Sequence, residues 1–352
     1  MNFSSDNVTE VCPEIMAALV AANEGTMMPY GADEYTERLE TKFSSIFETP
    51  VKVFPVATGS AANALALSTI APGYGAIYCH AESDINVDEC CAPGFYTGGA
   101  KLVTVNGTDA QINPSELSKT LEKGGRGIVH YAQPAGVSLT QATEAGTVYL
   151  PEDIDEIAKI THGHNLCLHI DGARFANAVV SLDCAPADIT WRLGVDVMSF
   201  GATKNGAMAA EAVIFFNQDL AKTFGYRCKR GGHLLSKMRF LSAQLEAYIT
   251  DDLWLKNAGH ANQMASRLAQ GLVEFPWVRL CHPVEANEIF VELPESVVDG
   301  LRADGFEFLV WQKGTLPIIR LVTAFNTKEE DVDGFLASVK RYSVIDLMEK
   351  RE

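Results

Sequence analysis

Basic charge is what this sequence has least of. Only 28 Lys and Arg stand against 45 Asp and Glu, a net charge of −17. That balance excludes the broad basic footprint of a nucleic-acid-binding protein, while leaving open a locally positive pocket for an anion. Long apolar runs are also missing, and with them any helix that could span a bilayer. The first residues, Met1-Asn-Phe-Ser-Ser-Asp6, lack a basic stretch followed by an apolar core, so no secretory signal is expected. Cysteine is sparse: eight in 352 residues, with Cys90-Cys91 adjacent and no C-x-x-C. A disulfide scaffold is thereby excluded, and reduced thiols in a cytoplasmic protein are expected. His162-Gly-His164 and His169 straddle a helix end and a strand instead of sharing one helix face, so no metal site is expected.

What is present is an ordinary globular composition, 47% apolar and 21% charged, at a length that suits two domains. Residues 1–12 read as extended. Pro13 opens a helical pattern, and a second helix follows over Glu34–Phe47. Strands and helices then alternate. Strands are expected over Val51–Val56, Ala76–Cys79, Lys101–Val105, Gly127–Ala132 and Leu166–Ile170, then over Val195–Phe200 and Glu211–Phe216. Helices are expected between them over Ala61–Ile70, Ser115–Lys123 and Leu150–Thr161, with a helical or loop segment near Asn86–Cys91. Such alternation predicts an α/β fold with a mostly parallel sheet and helices on both faces. Residues 233–272 look helical. After Phe275-Pro276 the texture becomes α+β, with strands over Asn287–Leu293, Glu307–Trp311 and Pro317–Phe325. Thr327-Lys-Glu-Glu330 reads as a capping box before a last helix. The expected division is a large domain over 1–252 and a small one over 253–352.

Ligands on parallel sheets sit beyond the carboxyl ends of the strands, and three features fall there. Thr58-Gly59-Ser60 turns a strand into a small-residue helix, whose free N–H groups suit a phosphate. A dinucleotide site would want G-x-G-x-x-G in this turn, and it is absent. Asp171, at the end of Leu166–Ile170, is either a cap or a carboxylate that keeps a pyridinium nitrogen protonated. Arg174 follows, with a planar fork suited to a carboxylate or a ring oxygen. Lys204 lies in the Gly- and Ala-rich loop between the last two strands. A lone loop lysine is usually solvated, but small flanking residues leave room for a flat group, and lysine forms Schiff bases with carbonyl compounds. Phosphate, aromatic nitrogen and aldehyde together describe pyridoxal 5′-phosphate.

The chain resembles the low-specificity L-threonine aldolases of the β-eliminating lyase group. The resemblance rests on Phe3-Ser-Ser-Asp-Asn7, Pro29-Tyr-Gly-Ala-Asp33, Thr58-Gly-Ser-Ala-Ala-Asn63, Asp88-Glu-Cys-Cys-Ala-Pro93 and Thr140-Gln-Ala-Thr-Glu-Ala-Gly-Thr-Val-Tyr149. It continues through His169-Ile-Asp-Gly-Ala-Arg174, Thr203-Lys-Asn-Gly206, Lys229-Arg-Gly-Gly-His233 and Arg320-Leu-Val-Thr323. It implies an aspartate-aminotransferase-like pyridoxal-phosphate fold type I. Lys204 would be the Schiff-base lysine and Asp171 the pyridinium partner, with Gly59, Ser60, Arg174 and Thr203 also at the cofactor. Ser5, Arg174 and Arg320 would hold the substrate carboxylate. The Lys229-Arg230 loop resembles the segment a neighbouring subunit lends to the phosphate, implying a dimer or tetramer.

One position departs from the family pattern. Asp84 stands where these enzymes carry a histidine that stacks on the cofactor ring, and His80 lies one helical turn upstream. An aspartate cannot stack as imidazole does, and it would repel a side-chain carboxylate. Another residue could stack instead. The implied activity is an aldehyde-lyase cleaving L-threonine, L-allo-threonine or a phenylserine-like β-hydroxy amino acid to glycine and an aldehyde. The candidates for the base that takes the hydroxyl proton are Asp84, His80, His130 and a bound water. A related β-eliminating lyase or aminotransferase is the alternative. A non-catalytic binding protein would need neither Lys204 nor Asp171.

Overall fold

The structure, a computed structural model, describes residues 1–314 and 316–349, with side chains through Ser343. The expected small domain ends at residue 352, so its last three residues lie outside the described ones. A seven-stranded sheet runs in the order Lys52–Val56, Glu211–Phe215, Val197–Gly201, Cys167–Gly172, Gln133–Thr140, Gly75–His80, Lys101–Val105. The last five in that order are mutually parallel, and Glu211–Phe215 is antiparallel to both neighbours. Gly75–His80, Val197–Gly201 and Glu211–Phe215 are buried at every position. Continuous burial is what a sheet covered on both faces produces, and it explains why these strands read as unbroken apolar runs.

One expected strand is misplaced. Residues 127–132 form turns, and the strand is Gln133–Thr140. Gly125 and Gly127 take positive φ, and the Gln133 side chain binds the turn, accepting from the Gly127 N–H and donating to the Ile128 and Tyr131 carbonyls. The strand itself opens on Gln-Pro-Ala-Gly, which reads as a loop. Pro134 is tolerated because the pairing with Gly75–His80 is irregular there.

A second, four-stranded antiparallel sheet, in the order Arg279–Leu280, Glu288–Glu292, Ile318–Val322, Leu309–Gln312, packs with the helices Glu295–Ala303 and Glu329–Glu349. The capping box expected at Thr327 is not formed. The Thr327 hydroxyl accepts the Ala324 N–H instead, and Asp331 reaches back to the Lys328 N–H. Helix Leu253–Val273 joins the two sheets by packing in both cores. Trp254 and Ala258 belong to the first, Met264, Leu268 and Leu272 to the second. The second core also takes Phe3, whose ring meets those of Phe306 and Phe335.

The strand bearing Asp171 lies beside the strand that leads into Lys204, and Asp171 pairs with Ser199. The chain beyond them is drawn so close that a Cβ on Gly201 would overlap the Ala173 carbonyl. Gly201→Ala is therefore expected to cost about 1–3 kcal/mol of stability and to lower cofactor occupancy, because it pushes apart the loops that carry Asp171 and Lys204. An unchanged thermal midpoint would show that the two loops are free to separate.

Candidate active site

Strand Lys52–Val56 runs into Thr58, whose hydroxyl accepts the Ala61 N–H at 3.2 Å and caps helix Gly59–Ile70. The N–H groups of Gly59 and Ser60 have no partner among the described residues, and a Cβ on Gly59 would meet nothing within 4 Å. This is open space beside the positive end of a helix, suited to an anion. A cavity of about 410 Å³ extends from the turn to Asn63, Glu89, Asp171, Thr203 and Lys204.

The far wall of that cavity is a buried carboxylate chain. Asn63 Nδ2 donates to Asp171 Oδ2 at 2.7 Å and to Glu89 Oε1 at 2.9 Å. Asp171 Oδ1 accepts the Ala173 N–H at 3.0 Å. Burial, with the charge of Asp84 added, raises the Asp171 pKa. Burial and the Asp171 charge push Glu89 up to about 8. Asn63 Oδ1 and Glu89 Oε2 are buried without a hydrogen-bond partner among the described residues. An acid at one end, a helix N-terminus at the other, a lysine between them and orphaned polar atoms on the wall fit pyridoxal phosphate. Behind the strand, His169 lies between the Ser138 and Ser199 hydroxyls, and burial pushes it down to about 3. Among the described residues no three His, Cys, Asp or Glu side chains converge on a metal position.

A second cavity, of about 500 Å³, shares Asn7, Asp84, Asp88 and Lys204 with the first. Its floor is a charge cluster. Arg174 donates through Nε to Asp6 Oδ2 at 2.8 Å and through Nη2 to Asp6 Oδ1 at 3.1 Å, and its Nη1 lies 3.0 Å from Glu288 Oε2. Arg320 places Nη1 3.7 Å from Glu288 Oε1 and lies over the Trp311 ring, and its Nε is buried without a hydrogen-bond partner among the described residues. Burial raises the Glu288 pKa, against the pull of Arg174. Ser5 reaches the same cavity, its hydroxyl accepting the Asn7 N–H. Phe290, Leu309, Trp311 and Val87 supply an apolar side.

The structure thus brings Ser5, Gly59, Ser60, Asp84, Asp171, Arg174, Thr203, Lys204 and Arg320 to two adjoining cavities. It sets three expected residues apart. His80 ends its strand with Nδ1 accepting the Glu82 N–H, is lowered in pKa by burial and lines neither cavity. His130 is exposed in the turn before strand Gln133–Thr140, at the end of the sheet opposite the cavities. Arg230 is exposed at the end of helix Phe224–Gly231, outside this chain's own cavities. Sequence reasoning assigned no role to Asp6, Asn63, Glu89 or Glu144, although each lies inside a recognised motif. Glu288 and His282 lie outside every motif and carried no local signal.

Glu144, another acid of the second cavity, is half-buried. Its Oε1 accepts the Asp84 N–H at 2.9 Å and the Thr140 hydroxyl at 2.7 Å, while Oε2 has no hydrogen-bond partner among the described residues. Burial, then the charge of Asp84, pushes it from an ordinary 4.5 up to about 8. The folded protein therefore keeps a proton that the unfolded chain sheds near 4.5. The stabilisation from this group is complete below that pH and is lost as pH climbs towards 8. Glu144→Gln keeps the acceptor and cannot ionise. The variant is expected to gain in thermal midpoint relative to the parent as pH rises from 5 to 8. A difference independent of pH would mean that Glu144 is ionised in the folded state.

The profile of the family described as beta-eliminating lyase matches residues 2–296. A low specificity L-threonine aldolase of Pseudomonas aeruginosa is 44% identical over 306 residues, covering 87% of this chain and 88% of the relative. Another, from a Pseudomonas species, is 40% identical over 340 residues, covering 96% of each. Among solved structures, a threonine aldolase of Leishmania major superposes with a TM-score of 0.91 at 28% identity, over 97% of this chain and 98% of that one. Serine palmitoyltransferase of Sphingomonas wittichii, 16% identical, shares the fold with a TM-score of 0.72 over 98% of this chain and 87% of that one. The expected α/β, aspartate-aminotransferase-like fold type I is therefore the fold observed. With a profile match over most of its length and relatives at 40% and 44% identity, the chain belongs to the beta-eliminating lyase family, beside the low-specificity L-threonine aldolases.

Proposed function

We propose that this protein is a pyridoxal-phosphate-dependent aldehyde-lyase that cleaves L-threonine, L-allo-threonine or a related β-hydroxy-α-amino acid to glycine and an aldehyde. The observation that carries the reading is Lys204 at the junction of two cavities, one with groups that suit the cofactor and one with groups that suit an amino acid. Gly59 and Ser60 would hold the phosphate and Asp171 the ring nitrogen, with Thr203 beside the ring and Arg174 reaching it from the adjoining cavity. Pyridoxal phosphate, when bound, supplies the electron sink that makes a bond to Cα breakable. Arg174 and Arg320 bind the substrate carboxylate together with Ser5. Asp6 neutralises one of the two guanidinium charges. Glu288, raised in pKa by burial, leaves the other for the substrate when it is protonated. Fixing the carboxylate sets which Cα bond is aligned to break.

The active form we propose is a homodimer or homotetramer in the cytoplasm, with the small domain starting near residue 253. Lys229 and Arg230 are exposed at a helix end, and Lys229 lies over the Tyr30 ring. Lys229 borders a surface groove of about 920 Å³ with Phe54, Tyr226, Leu234 and Met238 on its walls, and Arg230 is the next residue. A second copy seated on this face would cover the apolar groove and bring Arg230 to a neighbouring phosphate.

The purified protein is expected to be yellow and to release glycine with the matching aldehyde from L-threonine, L-allo-threonine or L-phenylserine. Ammonia and a keto acid would point to an elimination or transamination instead. Lys204→Ala is expected to abolish cleavage, and borohydride should no longer fix a pyridoxyl group on the peptide containing residue 204. A label retained elsewhere in the site would overturn the lysine assignment. The native mass is expected at two or four times 38.2 kDa, and Arg230→Ala should weaken cofactor binding roughly tenfold or more. A monomer that retains the cofactor would remove the neighbouring subunit from the site.

A further inference from the structure

The base for the hydroxyl proton is unassigned, since His80 and His130 lie away from the cavities. The substrate cavity contains one imidazole, His282, which enters from the loop before strand Glu288–Glu292. Its Nδ1 lies 2.8 Å from Asp109 Oδ1. That contact fixes the tautomer with hydrogen on Nδ1, and it leaves Nε2, unpartnered among the described residues, as an acceptor. The ring is held edge-on to Phe290, at 5.6 Å between centroids, and Phe290 in turn packs on Trp311.

Asp109 is itself held at a cost. It and Ala110 form the tip of a two-residue hairpin between Gly107–Thr108 and Gln111–Ile112, with φ of 54° and 59°. Such a turn favours Asn, Asp or Gly first and Gly second, so the cost falls on Ala110. The strained turn is pinned by the hydroxyls of Thr143 and Thr147, which donate to the Asp109 carbonyl, and by Gln111 Nε2 bonded to Thr147. Strain over-determined by its surroundings is characteristic of a functional position. The pair also joins parts of the chain 173 positions apart, so no local folding requirement brings it together.

We propose that His282, positioned by Asp109, is the catalytic residue that takes the proton from the substrate's β-hydroxyl, with the Phe290–Trp311 face receiving the substrate side chain. The inference rests on the aldolase reading above. In cleavage the O–H bond breaks towards Nε2, and its electron pair closes the aldehyde C=O. The Cα–Cβ pair is left on Cα, which takes up a proton to give glycine. Glu144, raised to about 8 and already accepting two hydrogen bonds, is a poor acceptor at neutral pH. Asp84, at the junction of the two cavities, is the competing candidate.

His282→Asn, Asp109→Asn and Asp84→Asn holoenzymes would be compared with the parent in three measurements: steady-state threonine cleavage, exchange of the glycine α-proton into deuterium oxide by NMR, and calorimetric affinities for L-serine and L-alanine. His282→Asn is expected to lower kcat about 10²–10⁴-fold, while glycine exchange, in which no hydroxyl proton moves, continues. It should also erase the preference for serine over alanine. Asp109→Asn should lower kcat by less, with KM nearly unchanged, as befits a positioning residue. If His282→Asn cleaves threonine normally, or loses exchange and cleavage in equal measure, the assignment is overturned. The same holds if the large loss falls on Asp84→Asn alone. A parent enzyme that neither cleaves threonine nor exchanges glycine would overturn the aldolase reading instead.

Discussion

The guanidinium of Arg174 has to be buried without losing its charge, and much of the molecule is arranged around that requirement. An isolated buried cation is too costly to keep. Arg174 is therefore met by Asp6 from the N-terminal segment and by Glu288 from the second sheet, and these acids hold its pKa above the ordinary arginine value despite burial. Asn287 adds a bond to Asp6. One side chain thus fastens the first residues, the central sheet and the small antiparallel sheet to a common point. Breaking the Asp6 arm would leave the buried guanidinium without its ionised partner, so the N-terminal segment is tied to the central sheet by more than apolar contact.

The segment Thr140–Tyr149 is the other point of assembly. Thr140 bonds Glu144, Thr143 and Thr147 bond the hairpin at Asp109, and Val148 N–H donates to Glu285. Gly146, with φ of 75°, passes so near the second sheet that a Cβ would stand 2.7 Å from the Glu288 carbonyl oxygen. The Gly146 carbonyl also accepts the Glu285 and Ala286 N–H groups. A loop that looks like a string of small polar residues is thus the seam between the two sheets. Its conformation sets where Glu288 and His282 stand relative to Lys204.

The parts legible in the sequence are those with a local cause. Alternating apolar strands and helices revealed the parallel sheet, and strand-end residues marked Asp171, Lys204 and the Gly59 turn, because such sheets gather ligands at one edge. The strand at 133–140 was hidden because Pro134 and Gly136 imitate a loop, while Ile128 and Val129 form an apolar run that the turn leaves exposed. The carboxylate chain through Asn63 and Glu89 was invisible for a different reason. Its members sit 26 and 108 positions apart and are joined only by folding. His282 and Asp109 are the extreme case, ordinary residues in unremarkable surroundings until the second sheet closes over the first.

The two cavities differ in what builds them. The one beside Gly59 and Asp171 is walled by the central sheet, its loops and Asn7. The one beside Arg174 takes nearly half its wall from the second sheet and its loops: His282, Glu288, Phe290, Leu309, Trp311 and Arg320. On the proposed function, the residues that would hold the prosthetic group and much of what would choose the substrate lie in different stretches of chain that meet at Lys204. Change in the final third of the sequence can alter which side chain is admitted while the cavity beside Gly59 and Asp171 stays intact. A fold divided in this way can diversify its substrates without first losing the place for its cofactor.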